Sequence, residues 1–133
     1  MSARFLLDSN VLSDVGNNRA WAKNIGAKID LYGGHRCYVS AVTWHELMFG
    51  LGALGGKRRA NLNAMYGGFQ FVAFDRAAAA AAAAVRLKLG SKGIGVPDAM
   101  IAGQAIAGDF ILVSNNTRHF ARIAGLNWVN WAV

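Results

Sequence analysis

Phe5-Leu6-Leu7-Asp8-Ser9-Asn10 is three apolar residues followed at once by three polar ones. A run of this kind suits a short buried strand that delivers the chain to a polar edge. The pattern recurs along the chain. Cys37–Val42, rich in β-branched and aromatic residues, leads into Thr43-Trp44-His45-Glu46, Phe71–Phe74 into Asp75, and Phe110–Val113 into Ser114-Asn115-Asn116-Thr117. A last short strand is expected at Trp128–Trp131. Helices are expected between the strands, at Trp21–Tyr32 (interrupted near Gly26), Thr43 to about Leu54, about Arg58 to Tyr66, Ala77–Leu89 and Pro97–Ala107. Asp75 is placed as an N-cap and Gly90 as the stop of the alanine-rich helix, while Pro97 suits a first turn and Gly108 a helix end. Strands separated by helices imply an α/β fold, a small parallel sheet flanked by helices in three layers. Alanine is the best helix former and allows close approach, so Ala77–Leu89 is read as a packed helix and not a linker.

A chain of 133 residues suits one compact domain, residues 1–133. Lys and Arg number 14 against 7 Asp and Glu, a net charge of +7. Such an excess suits a polyanion, since each neutralised phosphate releases counterions; the same charge also keeps an alanine-rich surface soluble. The longest apolar run, Ala77–Val85, is far shorter than the ~20 residues of a membrane span, and Phe5-Leu6-Leu7 is too short for a secretory-signal core. A single cysteine, Cys37, permits no intramolecular disulfide. The expectation is a cytoplasmic protein with no membrane partner. Gly90-Ser91-Lys92-Gly93-Ile94-Gly95 is expected to be a flexible loop beside Asp98.

With acids this scarce, their positions carry weight. In parallel α/β sheets, ligands bind beyond the carboxyl ends of the strands. Asp8 follows the first strand, Glu46 lies one helical turn past the second, Asp98 opens the helix after Pro97, and Ser114-Asn115-Asn116-Thr117 follows the fourth. Each also has a purely structural explanation: Asp8 as an N-cap, Thr43-x-x-Glu46 as a capping box, Asp98 as a favourable first-turn acid, and the asparagines as an Asx turn. Together they argue for a common site. Two unit charges about 4 Å apart repel by ~4 kcal/mol at an effective dielectric near 20, a cost that a divalent cation removes. Oxygen donors in this number suit Mg²⁺ or Mn²⁺, and a basic surface around such a centre suits phosphodiester hydrolysis.

At these residues the chain resembles the PIN-domain ribonucleases, and within them the VapC-type toxins of toxin–antitoxin pairs. Phe5-Leu6-Leu7-Asp8-Ser9-Asn10-Val11-Leu12-Ser13 is similar to the family's opening strand. Val39-Ser40-Ala41-Val42-Thr43-Trp44-His45-Glu46-Leu47 with Gly50, Gly95-Val96-Pro97-Asp98-Ala99-Met100-Ile101-Ala102, and Leu112-Val113-Ser114-Asn115-Asn116-Thr117-Arg118-His119-Phe120 are similar to the second, third and fourth motifs. The resemblance implies a PIN-like fold and a metal-dependent endoribonuclease. Asp8, Glu46 and Asp98 would be its catalytic, metal-binding carboxylates, with Asn116 beside the metal and Asn10, Ser114 and Asn115 as supporting polar groups. It further implies a homodimer, a tRNA or rRNA substrate cut to leave a 3′-hydroxyl and a 5′-phosphate, and inhibition by a cognate antitoxin. One departure stands out: His119 occupies a position where relatives often carry Asp or Glu. Lys57, Arg58, Arg59, Lys92 and Arg118 are the expected RNA-backbone contacts.

Two other readings use the same residues. A catalytically impaired PIN-fold module that binds RNA or an antitoxin is suggested by His119 and Asn116. A phosphoacceptor domain using Asp8 lacks a second acid in the first strand and a lysine after the fourth. The Gly50–Arg58 segment lacks P-loop spacing and follows a helix, so it is not read as a nucleotide site.

Overall fold

The structure, a computed structural model, describes residues 2–90 and 93–133. Ser91 and Lys92, which carry the expected flexible loop and one expected RNA contact, lie outside the described residues. Among the described residues there are five strands: β1 (Phe5–Leu7), β2 (Cys37–Ser40), β3 (Gln70–Val72), β4 (Ile111–Val113) and β5 (Trp128–Val129). They pair in parallel, in the order β3-β2-β1-β4-β5. Seven α-helices join them: α1 (Ser9–Gly16), α2 (Ala22–Tyr32), α3 (Ala41–Leu51), α4 (Gly56–Gly67), α5 (Arg76–Leu89), α6 (Val96–Gly108) and α7 (Thr117–Phe120).

Alternation along the central strands separates the two helical layers. Phe5 and Leu7 of β1 join Val39 and Val113 in a core completed by Val11, Leu12, Ile25, Leu47 and Trp131. Leu6 and Leu112 point the other way, to Val85, Ala99, Ala102 and Ala105. The alanine-rich stretch is a helix, as expected. The Asp75 carboxylate accepts from Ala78 N at 2.9 Å, and Gly90 ends α5 at φ 80, in the left-handed region that favours glycine. Cys37 is wholly buried, and burial pushes its thiol up to about 11, so it stays a neutral core residue.

Three expectations change. α2 runs unbroken through Gly26, because the buried Ala22 and Ile25 hold it to the core. β2 stops at Ser40, whose hydroxyl caps α3 by accepting from Val42 N at 3.0 Å. That overturns the Thr43-x-x-Glu46 capping box: Thr43 lies inside α3, buried, and its Oγ1 has no partner. β3 also ends early, at Val72, since Ala73 turns its carbonyl to Gln104.

Gln104 ties three elements together. Its Nε2 donates to Ala73 O at 2.9 Å, and its Oε1 accepts from the buried Ser40 hydroxyl. Gln104→Ala leaves both partners unmet and is expected to cost about 2 kcal/mol, read as a lower urea midpoint with an unchanged slope.

Candidate functional site

The strand order places the site. From β1 the chain builds outward through β2 and β3, then returns across the sheet to add β4 on the other side of β1. The topological switch therefore lies between β1 and β4, where a crevice opens at the carboxyl ends. Leu7 pairs with Val113 in register, so the next residues, Asp8 and Ser114, stand side by side at that edge. Asp8 N donates to Val113 O at 3.0 Å and Ser114 N to Val129 O at 3.1 Å, which fixes both backbones.

Asp8 is 6% exposed. One carboxylate oxygen accepts from Ser9 N at 2.8 Å and the other from Ser114 Oγ at 2.8 Å. Burial nevertheless pushes its carboxyl up to about 6; the two hydrogen bonds oppose the rise, and the nearby Asp98 and Glu46 add to it. Glu46, on α3, is also raised, again chiefly by burial, with Asp98 contributing. Asp98, in the first turn of α6, thus acts on both Asp8, at the end of β1, and Glu46, on α3. Asp8 also caps α1, so its structural and its expected chemical roles coexist.

The polar residues after β4 divide. Asn116 N donates to Ser114 Oγ at 3.0 Å, and Asn116 Nδ2 lies 3.4 Å from Asp98 Oδ2, so Asn116 and Ser114 join the cluster. Asn115 turns away: its Nδ2 donates to Asp14 Oδ2 at 2.6 Å. Asp14 also accepts from Trp21 Nε1 at 2.7 Å. This acid pins the loop after β4 to α1, a contact between residues 101 positions apart that no local pattern announces. His119 Nδ1 approaches Asp98 Oδ2 at 2.7 Å, and His119 is the one basic side chain within 4 Å of a carboxylate among the described residues.

The donor set fits a divalent cation. Among the described residues it offers carboxylates without a Lys or Arg partner, with the Asn116 amide 3.4 Å from Asp98 Oδ2. The side chains are not preassembled: among the described residues, no three His, Cys, Asp or Glu groups stand close enough to chelate one ion as they are.

A cleft of about 400 Å³ opens from Glu46 and Ser9 between α1, α3 and α4, polar at that end and lined by Leu47, Leu51, Leu54 and Leu62 beyond it. Arg58 reaches its rim, donating to Asn17 Oδ1 at 2.7 Å. Lys57 and Arg59 are exposed beside it on α4, and Arg118 is exposed on α7. No helix of the described residues is long and apolar enough to cross a membrane.

Comparison with known proteins agrees with this architecture. The PIN domain family matches residues 5–126. A Shigella flexneri protein named tRNA(fMet)-specific endonuclease VapC is 30% identical, over 97% of this chain and 98% of its own length. Among solved structures, VapBC2 from Rickettsia felis bound to a DNA fragment from their promoter superposes with a TM-score of 0.84 at 25% identity, covering 96% of this chain and 98% of that one. DNA-bound VapBC from Salmonella typhimurium superposes at 0.79 with 26% identity, covering 97% and 98%.

Proposed function

The chain belongs to the PIN-domain family, among the VapC-type toxins, and on that premise we propose that it is a Mg²⁺- or Mn²⁺-dependent endoribonuclease acting in the cytoplasm on structured RNA. The observation that carries this reading is Asp8, buried at the switch point between β1 and β4, with Glu46 and Asp98 near enough to raise its pKa further. tRNA leads the candidate substrates and rRNA follows, because the curated relatives are named tRNA endonucleases.

Asp8, Glu46, Asp98 and Asn116 would hold the cation, which when bound supplies a more acidic water and offsets charge on the scissile phosphate. The protein does the rest. Ser114 and Ser9 N hold the Asp8 carboxylate in one orientation. Glu46, at the polar end of the cleft and with a raised pKa, would take a proton from water when it is not bound to the cation. Lys57, Arg58, Arg59 and Arg118 bind the RNA backbone and set its register. The cleft beyond Glu46 suits the apolar side chains of an inhibiting antitoxin segment, and the working unit is a homodimer.

Incubating the purified protein with total tRNA and rRNA tests this. Fragments ending in 3′-hydroxyl and 5′-phosphate should form with Mg²⁺ or Mn²⁺ and vanish in EDTA; cleavage that persists in EDTA would remove the metal chemistry. His119 in place of an acid favours one alternative, an impaired binding module, which would retain RNA without cutting it under any metal.

A further inference from the structure

His119 is not a bystander at the end of a short helix. Its Nδ1 lies 2.7 Å from Asp98 Oδ2 and 2.9 Å from Asn116 Nδ2, and that amide nitrogen lies 3.4 Å from the same Asp98 oxygen. Three polar groups, from α6, the N-cap of α7 and α7 itself, therefore form a closed triangle. An octahedral cation with ligands at about 2.1 Å keeps neighbouring donors roughly 3 Å apart. The triangle has the size of one octahedral face. Turning the Asn116 amide puts its oxygen where its nitrogen stands and leaves every other atom in place. His119 and Asp98 have side chains 43% and 25% exposed, so the face opens to solvent, through which an ion and its waters can enter.

We propose that His119 Nδ1, Asp98 Oδ2 and the Asn116 amide oxygen form one face of the divalent-cation site, so that the ion is held partly by imidazole and Mn²⁺ is preferred to Mg²⁺. This rests on the proposed reading that a divalent cation binds at Asp98. Mg²⁺ takes oxygen ligands and dehydrates reluctantly, whereas first-row transition ions accept an imidazole nitrogen. The residue that departs from the family's acidic pattern thereby changes which ion the site selects, without emptying it.

Two measurements on the full-length, metal-free protein test this: calorimetric titration with Mn²⁺ alone and Mg²⁺ alone, and pulsed EPR of the Mn²⁺ complex. Mn²⁺ should bind about tenfold or more tightly than Mg²⁺, with the hyperfine coupling of a directly bonded nitrogen. His119→Glu should erase that coupling and bring the two affinities together, and His119→Ala should weaken Mn²⁺ more than Mg²⁺. The half-exposed position tolerates both changes, which thermal melts of the metal-free variants will register. A wild-type complex with no nitrogen coupling, or a Mn²⁺/Mg²⁺ ratio unchanged in His119→Glu, overturns the proposal and leaves the imidazole as a hydrogen-bond partner of Asp98. RNA cleavage assayed alongside separates the two readings. Cutting without nitrogen coupling sinks this inference alone, while nitrogen-coupled Mn²⁺ in a protein that cuts no RNA upholds it and sinks the nuclease.

Discussion

Asp8→Asn will abolish RNA cleavage and, in the same protein, raise the stability of the metal-free fold at neutral pH. The first effect follows from removing a buried carboxylate from the proposed cation site. Losing several kcal/mol of transition-state charge stabilisation is roughly a thousandfold in rate. The second follows from where the carboxylate sits. Burial holds its carboxyl up at about 6, against an ordinary 3.8. Between those values the native state keeps a proton that the unfolded chain has released. The stability that Asp8 contributes is therefore greatest below about pH 3.8, falls as pH rises through the window, and stays lowered above about 6. The gap corresponds to about 3 kcal/mol at most, carried at neutral pH by the ionised form. Asn keeps an oxygen to accept from Ser9 N but carries no charge, so the pH dependence should be shallower than wild type by the Asp8 contribution, with that of Glu46 remaining. Melting curves from pH 4 to 8, without metal and then with Mg²⁺, check both halves. A variant less stable than wild type at pH 8 would mean that Asp8 matters chiefly as the cap of α1.

The same tension explains what the sequence could and could not disclose. The strand ends were legible because a change from apolar to polar at Leu7–Asp8 and Val113–Ser114 is a local signal, and parallel register then forces the two polar residues together. The alanine helix was legible for the same reason: Asp75 and Gly90 punctuate it within the chain itself. Gly26 misled because a glycine in mid-helix costs only ~1 kcal/mol against Ala, less than burying Ile25 returns. Thr43-x-x-Glu46 misled because Ser40, three residues earlier, had already capped the helix. Asn115 was grouped with the site because its neighbours belong there. Only the fold shows that Asp14, 101 positions away in sequence, claims it. The motif put His119 near the site, but its contact with Asp98 joins α7 to α6 across β4, so the partner was visible only in the fold.

Gly103→Ala will be strongly damaging, although it adds only one methyl to a helix. α5 and α6 pack closely through small residues, with Ala78 and Ala82 facing a helix whose buried side offers Ala99, Ala102, Gly103 and Ala105. A Cβ on Gly103 would stand 2.3 Å from Ala82 N, 2.5 Å from Ala82 Cα and 2.8 Å from Ala81 C. All three are backbone atoms of α5, so no rotamer change relieves the overlap and one helix must move away from the other. The expected cost is about 3 kcal/mol or more, the upper part of the usual range for overpacking. Helix propensity alone would predict the opposite sign, since Ala is favoured over Gly by ~1 kcal/mol. Gly26→Ala supplies the control: it too lies inside a helix, its new Cβ meets nothing within 4 Å, and it should stabilise by up to about 1 kcal/mol. Because α6 carries Asp98 in its first turn, a displaced α6 should also weaken Mn²⁺ binding in whatever fraction of Gly103→Ala remains folded. Equal denaturation midpoints for the two alanine variants would show that α5 and α6 are not in backbone contact at Gly103.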